Sequence, residues 1–135
     1  MNHTTSIRNA MSVDVEDYYH VSAFESCINK KQWNEMPCRI EANMERILAL
    51  FEQKSIKATF FTLGCVAERY PAMVREIVDQ GHELASHGWE HVRVTHQNQQ
   101  TFTQDITRTR QLLEDISGQP VVGYRAASYS LCEEN

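Results

Sequence analysis

Three short segments carry side chains that could do chemistry together. The first, Asp14-Val15-Glu16-Asp17, supplies carboxylates. Along an extended chain, positions i and i+2 point to one face, so Asp14 and Glu16 can share a site while Val15 packs behind them. Two carboxylates at a strand end can divide the work, one binding a cation and the other acting as general base. The second, Ser86-His87-Gly88-Trp89-Glu90-His91, offers two imidazoles four residues apart. On a single helical turn or in a tight loop, which Gly88 suits, both can bind one ion. Imidazole nitrogen favours zinc, cobalt, nickel or iron over magnesium. The spacing is not HExxH, so the zincin pattern does not apply. The third, Gly123-Tyr124-Arg125-Ala126-Ala127-Ser128-Tyr129, contributes Arg125, whose guanidinium can pair with a carboxylate and fix its orientation. Each segment alone has a plainer reading: a solvated acidic turn, a surface histidine pair, a surface arginine. Of the other histidines, His82 reads as structural and His96 as a loop residue.

What joins the three is where the surrounding elements put them. Alternating and β-branched runs predict strands at residues 12–15, 57–63, 82–86 and 120–124. Apolar residues at helical spacing predict helices at residues 39–53, from Pro71 to a stop at Gly81, and from a Thr101/Gln104 capping box to a stop at Gly118. Residues 18–37 read as a long aromatic loop. Strands alternating with helices imply a parallel α/β sheet, because parallel strands need crossover connections. In such folds, sites are built at the C-terminal ends of the strands. All three segments lie there.

Composition narrows the function classes. The chain of 135 residues has 13 basic and 18 acidic residues, a net charge of -5, and no basic cluster, which argues against nucleic acid as a partner. No apolar run approaches the roughly 18 residues of a membrane span. Residues 1–10 are polar and read as a disordered tail without a secretory signal, so a cytoplasmic location and four free thiols at Cys27, Cys38, Cys65 and Cys132 are expected. Nothing in the sequence specifies an oligomer. The chain stops just after its fourth expected strand, with no closing helix and two open sheet edges, which predicts an incomplete domain over residues 11–135.

Taken in order, the three segments resemble the motifs of the NodB-homology polysaccharide deacetylases, carbohydrate esterase family four. Ala58-Thr59-Phe60-Phe61 resembles the family's strand before the histidines. Tyr70-Pro71, Gly81-His82-Glu83 and Ser86-His87 resemble the run that follows it. The opening Ser12-Val13-Asp14-Val15-Glu16-Asp17-Tyr18-Tyr19-His20 is most similar to the subgroup found with exosortase-linked exopolysaccharide loci. The resemblance implies a distorted (β/α) barrel, here truncated to about four strands and three helices. It implies metal-dependent hydrolysis of N-acetyl groups from a polysaccharide, with a divalent metal as cofactor (zinc first; cobalt, nickel or iron as alternatives) and an N-acetylated glycan as partner. By position, Asp14 matches the catalytic base, Arg125 the arginine that holds it, and His87 and His91 the metal histidines. The metal carboxylate falls to Glu16 or Asp17, with Glu16 favoured because it shares the face of Asp14. Three departures stand out: Asp14 is not followed by the family's adjacent aspartate, so the second carboxylate is Glu16 or Asp17; Gly88 replaces a small hydroxyl residue after His87; and Ala127 replaces a proline. A backbone N–H of the 127–129 loop would help hold the oxyanion. The chain as given is expected to be inactive, lacking the family's later motifs. The competing expectations are an amidohydrolase acting on a small cyclic amide and an inactive carbohydrate-binding module.

Overall fold

The computed structural model describes residues 8–133, so the expected tail at residues 1–10 lies mostly outside the described residues. β1 (Ser12–Val15), β2 (Thr59–Thr62) and β3 (Glu83–Ser86) form a parallel sheet in the order β1-β2-β3. Four helices accompany it: α1 (Ile40–Gln53), α2 (Gly64–Arg69), α3 (Pro71–Asp79) and α4 (Gln99–Ser117).

The register decides which side chains share a face. Val13, Phe60 and Leu84 are aligned, as are Asp14, Phe61 and Ala85, and then Val15, Thr62 and Ser86. Alternation turns the Phe60 row toward the helices and the Asp14 row away from them. On the helix side, Ile40, Met44, Leu48 and Phe51 of α1 pack with Val15, Phe60, Leu63 and Ile77. Val74, Leu84, Leu113 and Val121 form a second cluster beneath α4. Phe60, Leu63, Ile77 and Leu113 are fully buried. The opposite side of the sheet is left to Ser12, Asp14 and Phe61.

Several expectations are corrected. The fourth strand shrinks to one parallel bridge between Ser86 and Tyr124, with hydrogen bonds from Ser86 N to Gly123 O and Arg125 N to Ser86 O. Pro120 cannot donate to a ladder, Gly123 weakens an extended segment, and Val122 is exposed, so only the end of the segment pairs. Gly64, directly after the expected 57–63 strand, opens the extra helix α2, making four α-helices among the described residues rather than three. The α4 capping box is Asn98 with Thr101, three residues before the expected one, while Gly118 does close the helix at a φ of 65°. Residues 18–37 contain three 3₁₀ turns, Tyr18–His20, Ser22–Phe24 and Lys30–Glu35. The four cysteines are free thiols. No described helix is long and apolar enough to cross a membrane.

Candidate active site

Asp14 projects from the helix-free face of β1. Arg125 Nη1 donates to Asp14 Oδ1 at 2.5 Å, and its Nη2 donates to Ser12 Oγ at 2.8 Å. The guanidinium lies 3.9 Å from the centroid of the Phe61 ring. Two hydrogen bonds and a stacked ring leave the arginine one orientation, which in turn fixes Asp14. The second oxygen, Asp14 Oδ2, lies 4.0 Å from His87 Nε2.

The two histidines flank a turn directly after β3. His87 Nδ1 lies 2.8 Å from the carbonyl of Arg125. A carbonyl only accepts, so Nδ1 carries the proton and Nε2 presents its lone pair. Gly88 and His91 have φ values of 78° and 58°; the first is natural for glycine, while the second is a strained conformation for histidine. The turn is held from several sides. Gly64 N and Cys65 N, the free amides at the start of α2, donate to Gly88 O and Trp89 O at 2.9 Å and 3.0 Å. Gly88 N donates to Ser86 Oγ at 3.2 Å. Trp89 N donates to Asp105 Oδ1 at 3.1 Å. The Trp89 ring lies under Arg108, 3.3 Å away.

Glu16, His87 and His91 converge, with one ligand atom from each and all three atoms within 4.8 Å of one another. Glu16 Oε2 lies 3.3 Å from His91 Nε2 and 3.8 Å from His87 Nε2. Ligands about 2.1 Å from a tetrahedral ion are roughly 3.4 Å apart, so the spacing fits a small divalent cation. Glu16 Oε2 and His87 Nε2 are both buried without a hydrogen-bond partner among the described residues, an arrangement proteins avoid unless something else completes it. Burial, and then the charge of Asp14, push the Glu16 carboxyl up to about 7. Burial pushes both histidines below their ordinary range, with His87 adding to the effect on His91. Neutral imidazoles are the ligating form, and a cation would hold ionised a carboxyl that resists ionising alone. The residues present therefore fit a divalent metal.

Of the residues singled out in the sequence, Asp14, Glu16, His87, His91 and Arg125 meet here; Asp17 does not. Asp17 Oδ1 accepts from Tyr18 N at 2.9 Å and Oδ2 from Arg39 N at 2.6 Å. Both oxygens serve backbone amides at the Tyr18 turn and the entry to α1, which removes Asp17 as a metal ligand candidate. His82 is structural, accepting from Ala58 N and packing against Phe60. His96 is an exposed residue of a 3₁₀ turn. In the 127–129 loop, Ser128 and Tyr129 have φ values of 52° and 53°, and Ser128 Oγ meets Ser22 Oγ.

Two contributors were missed, Ser12 and Asp105. Asp105 had a signal: it falls on the α4 stripe that includes the buried Thr109 and Leu113, where a carboxylate is out of place. It also accounts for Gly88. A Cβ on residue 88 would lie 2.8 Å from Asp105 Oδ2, so the space a hydroxyl side chain would take is filled from α4.

A family model described as polysaccharide deacetylase matches residues 31–131. The chain belongs to the polysaccharide deacetylase family. It is 33% identical over 73 residues to a peptidoglycan-N-acetylglucosamine deacetylase of Bacillus cereus, covering 54% of this chain and 26% of that protein. The chain thus spans about a quarter of that relative's length. Peptidoglycan deacetylase PdaC of Bacillus subtilis superposes with a TM-score of 0.71 at 22% identity, over 93% of this chain and 51% of that one. A pseudoenzyme of the same esterase family from Bacillus anthracis superposes with a TM-score of 0.72 at 18% identity, over 93% of this chain and 37% of that one. These two likenesses establish the deacetylase fold. Because one of them is a pseudoenzyme, function has to be argued from the site.

Proposed function

We propose that this deacetylase-family chain carries catalytic and metal-binding residues of a metal-dependent enzyme that hydrolyses N-acetyl groups of a cell-wall or extracellular polysaccharide. The observation that carries the reading is the pair of buried, unpartnered ligand atoms, Glu16 Oε2 and His87 Nε2, beside the Asp14–Arg125 ion pair. Glu16, His87 and His91 would hold the cation, zinc first, with cobalt, nickel and iron as alternatives. When bound, it supplies Lewis-acid chemistry, polarising an amide carbonyl and acidifying water. Asp14 acts as general base: its Oδ1 is committed to Arg125 and its Oδ2 faces the site, free to take a proton from the attacking water. Arg125 and Ser12 hold that carboxylate in place, and the Phe61 ring backs the guanidinium. The products are acetate and a glycan with a free amine.

The test is acetate release by the full-length protein from N-acetylated chitooligosaccharides and from peptidoglycan. Wild type is expected to turn over with added zinc or cobalt, and Asp14→Asn to lose about 100-fold or more, the usual scale of general-base catalysis. Equal rates for wild type and Asp14→Asn would overturn the assignment of the base. An absence of release from either glycan, with release from a small cyclic amide, would move the protein to a different amidohydrolase class.

A further inference from the structure

A small cavity of about 70 Å³ lies between the Tyr18–His20 and Lys30–Glu35 turns, the start of α1 and the end of α2. None of Glu16, His87 and His91 lines it. Its polar wall consists mostly of donors. Trp33 contributes an indole N–H that is buried and has no partner among the described residues. Arg69, exposed at the end of α2, makes no ion pair among the described residues. Its charge acts on Tyr19, His20 and Tyr70, which all line the cavity, and its guanidinium lies 5.4 Å from the centroid of the Tyr70 ring. His20 Nδ1 accepts from Asp17 N at 2.8 Å, so the proton of the neutral ring sits on Nε2. Asn34 adds an amide that can donate as well as accept. No carboxylate lines the cavity, and the two oxygens of Asp17 are held by the amides of Tyr18 and Arg39. The remaining wall is apolar, made by buried Ile40 and Val66 with the thiol of Cys65.

We infer that this cavity is a binding site for a small carboxylate of the formate or acetate type. A carboxylate offers only acceptors, the complement of a wall built from the Trp33 N–H, the Arg69 guanidinium and the His20 ring. The planar fork of an arginine matches the two oxygens of a carboxylate. The apolar wall suits the hydrogen or methyl group at the other end of the ion. A phosphate or sulfate would press a further oxygen against Ile40 and Val66, which is costly. Size excludes larger ligands. A volume of 70 Å³ is the room of about two waters at roughly 30 Å³ each, and small-molecule sites begin at roughly 300 Å³. The same donors disfavour a metal cation. A buried donor without an acceptor is rare in native proteins, and a bound carboxylate would complete the one on Trp33. The lining residues come from separate segments of the chain, so the ligand binds the folded protein and stabilises it. Acetate is also what the reaction proposed above releases, but the binding does not depend on that reaction.

The experiment titrates acetate, formate, inorganic phosphate and chloride, as sodium salts at equal ionic strength, into the isotope-labelled full-length protein. Any bound metal is first removed by chelation, so that no ion at the metal site holds acetate. The reporter is the Trp33 indole N–H resonance, identified by its loss in Trp33→Phe, with urea unfolding in parallel. Two variants probe the donors. Arg69→Gln removes the charge at an exposed position, and Trp33→Phe removes the N–H and keeps an aromatic ring. Acetate and formate should shift the wild-type resonance saturably and raise the urea midpoint. Acetate affinity should fall by about tenfold or more in Arg69→Gln by the resonance and in Trp33→Phe by the urea midpoint, with circular dichroism as the check on folding. Wild-type affinity in a folded Arg69→Gln protein would overturn the site. An equal response to chloride or phosphate would overturn its carboxylate chemistry. A resonance that moves with none of the four anions would show that water fills the cavity, and would overturn the inference as well. The titration needs neither metal nor turnover, so its failure leaves the deacetylase reading standing, and failure of the acetate-release assay leaves this site standing.

Discussion

Replacing Asp105 with alanine tests whether α4 holds the metal turn. The carboxylate accepts from Trp89 N at 3.1 Å, between the two histidines. Removing it leaves a part-buried amide without a partner, which costs roughly 1–3 kcal/mol. Groups that orient metal ligands typically change affinity by about 10–100-fold when lost, or about 1.4–2.8 kcal/mol, so the two estimates agree. Burial pushes the Asp105 carboxyl upward, which makes its negative charge no asset. Asn at this position keeps an oxygen for Trp89 N. Zinc or cobalt affinity would be measured by chelator competition, with circular dichroism as the check on folding. Asp105→Ala should bind metal about 10–100-fold more weakly, and Asp105→Asn should stay close to wild type. A folded Asp105→Ala protein with wild-type affinity would refute the reasoning. So would an Asp105→Asn protein as weak as the alanine variant, because charge rather than the acceptor would then be at work.

Gly64→Ala should destabilise the fold by about 1–3 kcal/mol in urea titration, because its Cβ would lie 2.3 Å from Trp89 Cε3 and that ring is buried beneath Arg108. Arg125→Lys should lower kcat/KM for acetate release by about 10–100-fold, since a single ammonium cannot replace the fork that joins Asp14 and Ser12; a change under about twofold would contradict that role. Burial pushes His20 down to about 4, against an ordinary value of 6.5. Above pH 6.5 the residue is neutral in both the folded and unfolded chain. As pH falls from 6.5 to about 4, the unfolded chain takes up a proton that the fold refuses, so stability is lost, by up to about 3 kcal/mol. Unfolding of metal-free wild type and His20→Gln across that range should show a smaller loss in the variant, what remains coming from the other buried histidines, His87 and His91.

The parts of this fold that could be read in advance are those with a period long enough to register. Ile40, Met44, Leu48 and Phe51 mark α1 over four turns, and the Thr59–Thr62 run marks β2. The same logic fails for α2, whose six residues are too few for a stripe and begin on a glycine. It fails for the 18–37 segment, where 3₁₀ turns are too short to carry a pattern and aromatic packing of Tyr19, His20 and Trp33 gives the order. The start of α4 was misplaced because Asn98 caps a first turn of exposed glutamines with no apolar residue to signal it. In the site, strand alternation correctly put Asp14 and Glu16 on one side. Asp17 could not be removed from the sequence alone, because the amide of Arg39, its second partner, is 22 residues away. Ser12 acts on the site through a hydrogen bond from Arg125, 113 residues away, which no local motif encodes, whereas Asp105 shows in the sequence only as a carboxylate on a buried helical stripe.

Glu16, His87 and His91 are proposed to form a metal site beside Asp14. Metal content of the purified full-length protein, by elemental analysis after dialysis against zinc or cobalt, tests it most directly. One ion per chain is expected in wild type and in Asp17→Ala, with loss of that ion in Glu16→Ala and His87→Ala, because two remaining protein ligands rarely hold zinc against competition. Full occupancy in Glu16→Ala, or loss confined to Asp17→Ala, would contradict the account.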